Sequence, residues 1–319
     1  MYVKNQLKKV KYAGEALLIH ASDYISYVRA TGFGQSKSKA TAIYKLRKDY
    51  HKIEKGLTME PRRNFFGLKV LDNIIQHIRI IDDCSNPEVL KAVDVIKKYT
   101  LEHQNPPQLQ KYIDYTKGFN NSCLDSNTAY FSLKSKDLHL EAKDKDLYKR
   151  IIKTRRTTRH FSSRVISRSD FNNVFEVARF SPSACNRQSW KTKVITNKPL
   201  IKRVLSLQNG NSGFGEDVDN LLVITGDLSS CVTPTERKQI WFDSGLYTMN
   251  LINALHVEGI GSCCLNWCVN NMTKNKLASL LSLEKGEEAT VLLAVGYYKD
   301  KFVVCNSPKK SVSEFIEYL

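Results

Sequence analysis

The chain has 319 residues, 42% of them apolar and 25% charged, with only 15 Gly and 8 Pro. That composition excludes a largely disordered chain and collagen-like or Pro/Gly low-complexity architectures, and the length suits one large or two ordinary domains. Lysine and arginine outnumber the acids 49 to 32, a net charge of +17, spread as 27 against 17 up to Arg150 and 22 against 15 after it. Such an excess attracts anions, but without a concentrated basic stripe interleaved with aromatics it argues against a specific nucleic-acid binder.

The chain begins on a basic stretch with a short apolar patch from Ala16 to Ile19, where no export signal is expected. The eight cysteines are therefore expected to be reduced thiols. No stretch approaches the roughly 18 uninterrupted apolar residues of a membrane span. Ser36 or Ser38 is expected to cap a helix through Lys55, with Ala40, Ile43, Tyr44, Leu46, Tyr50 and Ile53 near helical spacing and Gly56 as its stop. Gly67 opens a second amphipathic helix with Leu68, Leu71, Ile74, Ile78 and Ile81. Pro87 starts a third, through Tyr99, and a short one from Leu109 to Tyr115 follows the break at Pro106-Pro107. His77 and His103 are ordinary helix residues in this reading.

The segment from Gly118 to Lys145 is polar and aperiodic and is expected to be a linker or meandering arm. After it the pattern changes. Helical stretches (Leu147 to Arg155, Ser169 to Phe180, Trp241 to Glu258) alternate with strand-like runs (Thr192 to Thr196, Leu221 to Thr225, Thr290 to Val295). Helices alternating with strands in this way predict an α/β or α+β unit with a central sheet. The expected organisation is a helical region over 1–145 and a second domain over 146–319.

Four clusters in the second half carry chemistry. Arg155-Arg156-Thr157-Thr158-Arg159 packs three guanidiniums and two hydroxyls into five residues, an anion-binding set or else a solvated helix end. Ser181-Pro182-Ser183-Ala184-Cys185-Asn186-Arg187-Gln188 combines small residues, which let a planar ligand approach the backbone, with amide donors and acceptors. Gly259-Ile260-Gly261-Ser262 follows a long apolar helix. A helix stop explains Gly259, whereas Gly261 suits close approach to a ligand. Lys309-Lys310 lies in a basic turn near the C-terminus. Cys263, Cys264 and Cys268 lack the second Cys/His pair of a zinc site, so no metal is expected there and a packed strand is.

In this order, RRTTRHF, SPSACNRQSWK, VDNLLVITGD, DSGLYTMNLINALHVEGIGSCCLNW and TVLLAVGYY resemble the nitroreductase family of FMN-dependent oxidoreductases, over roughly Leu147 to Leu319. The resemblance implies an α+β fold with a mixed central sheet flanked by helices, preceded here by an all-α region. It also implies a cytoplasmic homodimer with exchanged termini, holding FMN at the interface, with NAD(P)H as hydride donor and a small nitro- or quinone-like acceptor. By position, Arg155, Arg156 and Thr157 are implied to hold the phosphate and ribityl chain, and Arg159 the N1/O2 edge of the ring. Pro182, Ser183 and Ala184 would flank the ring from the partner subunit, with Asn186 and Gln188 ordering that loop. Gly259, Ile260, Gly261 and Ser262 would present a backbone N–H to the N5/O4 region. Lys309 or Lys310 would complete the phosphate site, in a turn where the family tends to place an Arg. Asn209-Gly210-Asn211 matches a loop at the pyrimidine edge. No catalytic side chain is implied; Ser262 and Cys263 are the candidates for relaying a proton, with packing the alternative for Cys263.

Within the helical region, Tyr50 to Gly67 resembles a segment of extended nitroreductase-like proteins associated with polysaccharide biosynthesis. His51 and Glu54 share a helix face, with Arg62 and Arg63 beyond a turn. They form either a lid recognising an anionic substrate or a polar knot between two helices. Two other functions stay open on the sequence: an FMN-dependent dehydrogenase or oxidase of a saccharide or peptide-derived intermediate, and a non-catalytic basic binding protein.

Overall fold

The computed structural model describes residues 2–32, 37–119 and 128–319. Five helices come first: α1 (Tyr2–Thr31), α2 (Lys39–Leu57), α3 (Leu68–Ile81), α4 (Pro87–Glu102) and α5 (Gln110–Thr116). Ser38 caps α2 by accepting from the Thr41 amide, and Asn86 caps α4 with Pro87 in its first turn; Ser36 lies outside the described residues. The apolar stripes bury Leu46, Ile53 and Leu57 of α2 against Leu71, Ile74 and Ile78 of α3 and Val89, Val93 and Ile96 of α4. Gly56 does not stop α2, which runs on to Leu57. A Cβ there would collide with the Phe66 ring, so this glycine serves packing rather than termination.

Glu102 ties the end of α4 to two loops. It accepts hydrogen bonds from the Tyr130 hydroxyl (2.6 Å) and from Arg62 (2.9 Å), with Lys98 at 3.3 Å. These partners hold its carboxyl down at about 2, against 4.5 for a free glutamate. A depressed carboxyl stabilises the fold in full above the unfolded value and loses that contribution as pH falls through the folded one. Urea midpoints should therefore fall more steeply for the wild type than for Glu102→Gln as pH drops from about 4.5 to 2. Equal pH slopes would remove Glu102 from this role.

Among its described residues the predicted linker holds a turn at Ser135–Leu138, and α6 (Ala142–Thr154) begins inside it, ahead of the helix start expected at Leu147; residues 120–127 lie outside the described residues. Then follow α7 (Arg168–Ala178), β1 (Trp190–Ile195), α8 (Lys198–Leu205), β2 (Asn220–Asp227), α9 (Gln239–Val257), β3 (Ile260–Leu265), α10 (Asn271–Leu281) and β4 (Glu287–Tyr297). The strands form one sheet in the order β1-β2-β4-β3 with every neighbouring pair antiparallel. The parallel element of the sheet is an isolated bridge from Thr157 to Ser262 at the β3 edge.

Side chains alternate across a strand, so Leu222, Ile224, Leu293 and Val295 pack under α7 and α9. Leu221, Val223, Leu292 and Ala294 face Ile201 and Val204 of α8 and Leu277 of α10. The α+β architecture is thus a sheet covered on both faces.

Three features tie the ends of the chain to this unit or leave them outside it. The last turns of α1 pack on it through Tyr27 and Ala30, with Tyr27 donating to the Thr233 carbonyl. Most of the other described side chains of α1 are exposed. After β4 the chain leaves as an arm in which every residue from 301 to 319 is exposed, including Val303 at 92% and Tyr318 at 93%. No helix among the described residues is long and apolar enough to cross a membrane.

Candidate functional site

From Leu147 to Ser169 the chain carries eight lysines and arginines and no acid. Helix α6 ends at Thr154, and the next residues run extended along the outer edge of β3. The Thr158 amide donates to the Ser262 carbonyl at 3.0 Å, and the Ser162 amide to the Tyr297 carbonyl at 2.9 Å. This register turns Thr158, 1% exposed, inward, while Arg156 and Arg159 stay exposed and Arg155 half-buried. Gly261 is required here by close packing: a Cβ would lie 2.9 Å from the Tyr298 ring and 3.1 Å from Thr158. Gly259 closes α9 with φ of 72°, as a left-handed helix stop. The structure therefore brings Arg155–Arg159 and Gly259–Ser262 together as one edge. Arg156 also closes its own helix, donating to the carbonyls of Lys153 and Arg155. Arg159 reaches Cys305, at the start of the arm, at 3.8 Å.

Beside this edge stands a network the sequence reading missed. The Thr154 hydroxyl donates to the Arg150 carbonyl at 2.7 Å, so it accepts from His256 Nε2–H at 2.9 Å. His256 Nδ1 then accepts from the Tyr298 hydroxyl at 2.9 Å. Burial and the neighbouring Arg155 push the imidazole pKa down and keep it neutral. An acid-free strip of guanidiniums and hydroxyls, with no competing cation on His256, fits a phosphorylated, hydroxyl-rich ligand.

The second cluster is a loop built around a buried arginine. Arg187 is 2% exposed; it donates from Nε to the Ala184 carbonyl (3.0 Å) and from Nη1 to the Ser230 carbonyl (2.6 Å) and Glu236 (2.9 Å). Glu236 also accepts from Lys48 and the Val232 amide. Burial, the largest single influence, would raise its pKa, but the hydrogen bonds from Arg187 and the Val232 amide together with the Arg187 and Lys48 charges outweigh it and hold the carboxyl low. Cys185, Asn186 and Gln188 all take left-handed φ, at 52°, 53° and 49°, a conformation costing about 1–3 kcal/mol per non-glycine residue. The Ala184 amide donates to buried Asp243 (3.2 Å), Ser183 Oγ accepts from the Gln188 amide (2.9 Å), and the Gln188 side chain donates to Asn186 (3.0 Å). Pro182, Asn186 and Gln188 are left facing outward.

These two clusters do not meet within one chain. The loop runs into Trp190, level with Gly226 and Glu288, on the β1 edge; Ser262 pairs with Val295 on the β3 edge. Three strand spacings across and seven residues along separate them by more than about 20 Å. Lys309 and Lys310 sit exposed on the arm. Asn211 is taken up by its own turn, donating to the carbonyls of Leu205 and Gln208. His51 pairs with Glu54 (2.9 Å) and Arg62 with Glu102, and no hydrogen bond joins the two pairs among the described residues. Cys263 is buried in β3 and Cys264 exposed, and the described residues contain no group of ligands fit for a metal. Arg187 carried no distinguishing signal as a loop residue, because its burial depends on Glu236, distant in sequence.

The model of the family described as the nitroreductase family matches residues 152–212 and 206–297. A relative from Archaeoglobus fulgidus, provisionally named an NADH dehydrogenase/NAD(P)H nitroreductase, is 27% identical over 156 residues, covering 48% of this chain and 86% of its own. Among solved structures, a provisionally named nitroreductase from Bacillus subtilis superposes with a TM-score of 0.49 at 17% identity, over 55% of this chain and 100% of that one. An FMN-dependent nitroreductase from Clostridium difficile gives 0.44 at 15% identity, over 53% of this chain and 96% of that one.

Proposed function

We propose, from the match of residues 152–297 to the nitroreductase family, that the protein is an FMN-dependent oxidoreductase working as a cytoplasmic homodimer. The observation that carries the reading is the acid-free arginine strip laid along the glycine-bearing β3 edge. Arg155, Arg156 and Thr157 hold the FMN phosphate and ribityl chain, with Lys309 or Lys310 completing the phosphate site. Arg159 would lie toward the pyrimidine edge of the ring, and the run Gly259, Ile260, Gly261 and Ser262 would present a backbone N–H to it, supplied from beyond Gly259, whose own amide donates to the His256 carbonyl. FMN held by these residues would supply the hydride and electron transfer between NAD(P)H and a small electrophilic acceptor, of nitro or quinone type. The protein groups bind and orient, and neutral His256 positions Tyr298 without adding charge beside Arg155.

The second protomer follows from distance. If Pro182, Ser183, Ala184, Asn186 and Gln188 flank the same cofactor, they must come from another copy, because in one chain they lie on the far edge of the sheet. The exposed apolar arm supports the same assembly. Initial rates with NADH and a quinone should give parallel double-reciprocal lines, as two half-reactions at one shared site require. Converging lines would contradict that sequence of steps. The direct contact of α2 with the 183–188 loop favours a second reading, a dehydrogenase specialised for a larger biosynthetic intermediate such as a saccharide. A polysaccharide-biosynthesis setting would suit that reading.

A further inference from the structure

Helix α2 places Arg47 against the loop between α7 and β1, and the next residue, Lys48, against Glu236 in the connection from β2 to α9. Arg47 Nη1 donates to the main-chain carbonyl of Arg187 at 2.8 Å, while its Nε sits 3.0 Å from Glu88, which fixes Arg47 to α4. Lys48 donates to Glu236 Oε1 at 3.3 Å, and the other oxygen of that carboxylate takes the Arg187 guanidinium at 2.9 Å. Arg187 is thus held at both ends, its carbonyl by Arg47 and its guanidinium by the carboxylate that Lys48 braces. The neighbours it controls, Cys185, Asn186 and Gln188, occupy left-handed backbone that side chains other than glycine leave unless the surroundings fix it.

We propose that Arg47 and Lys48 are positioning residues for the Ser183–Gln188 loop, so that the helical region sets how firmly the protein holds its cofactor. Neither residue need touch FMN; both act through Arg187 and Glu236. The link to the cofactor rests on the function proposed above, whereas the holding of the loop does not. Contacts of this kind would make the helical region part of the site's construction, and its loss would loosen the loop without disturbing the arginine strip.

The test uses the full-length protein with Arg47→Met, Lys48→Met and Lys48→Arg. Hydrogen–deuterium exchange should quicken about tenfold in residues 183–190 of both Met variants, the loss of one hydrogen bond to or from a charged group. Amides of α3 and α4 should keep their protection, FMN should bind about tenfold more weakly, and Lys48→Arg should restore both. Unchanged loop exchange in the Met variants would overturn the proposal. Should Arg47→Met fail to fold, Lys48→Met decides alone. Quickened exchange with wild-type FMN affinity would overturn the link to the cofactor. A wild-type protein that binds no FMN would sink the function proposed above, while the exchange comparison would still decide the loop's dependence on α2.

Discussion

Arg155→Ala should weaken FMN binding by about ten- to a hundredfold, the loss of one hydrogen bond between charged groups worth about 1.5–3 kcal/mol. The substitution leaves the backbone in place, because the Arg155 amide donates to the Ile151 carbonyl and closes α6. Its guanidinium is half-buried beside neutral His256, with no carboxylate from residue 147 to 169 to compete for it. Arg155→Lys keeps the charge and loses the planar fork, so its affinity should fall between wild type and the alanine variant. Arg156→Ala should cost less in binding and more in stability, since that guanidinium already closes its own helix end. Fluorescence titration with FMN checks all three, and wild-type affinity in Arg155→Ala would remove that residue from the phosphate site.

Deleting residues 301–319 should convert the protein to a monomer and abolish flavin retention. The arm exposes Val303, Val312, Phe315, Ile316, Tyr318 and Leu319, and each such side chain is worth about 1.5–3 kcal/mol when buried. In the proposed dimer an apolar tail of that composition, with no core of its own, is covered by a second copy. Because the 182–188 loop and the arginine strip lie at opposite edges and ends of the sheet, a monomer presents only half of the proposed site. Light scattering should give twice 36.5 kDa for the intact chain and a single-chain mass for the truncated one. A truncated protein that stays dimeric and keeps FMN would refute both the interface and the arm's part in it.

The parts legible in the sequence were those whose burial leaves a pattern. Strands β2 and β4 are covered on both faces, so their middles read as apolar runs, but β4 begins earlier than expected. Its first residue, Glu287, is a buried carboxylate accepting from Thr225 at 2.6 Å, and acids do not announce strands. Helix α1 falls inside the expected helical region but was not bounded there, because among its described side chains only Tyr27, Ala30 and Thr31 are buried and no long apolar stripe marks it. Helices α8 and α10 are short, although Asn197 and Asn270 cap them and could have marked their starts. In the candidate site, the arginine strip and the glycines stood out by composition. The Thr154–His256–Tyr298 chain and the Arg47–Arg187–Glu236–Lys48 cluster did not, since each joins residues far apart in sequence whose types are ordinary one by one.

The proposed reaction requires a flavin that accepts hydride from a nicotinamide, and an anaerobic titration tests that directly. The purified protein, reconstituted with FMN and freed of excess, is placed under anaerobic conditions and its visible spectrum followed as NADH or NADPH is added. The bound flavin band should bleach stoichiometrically with at least one of the two nucleotides. A protein that retains no FMN after reconstitution, or whose bound flavin stays oxidised with both nucleotides, would contradict the proposed reaction.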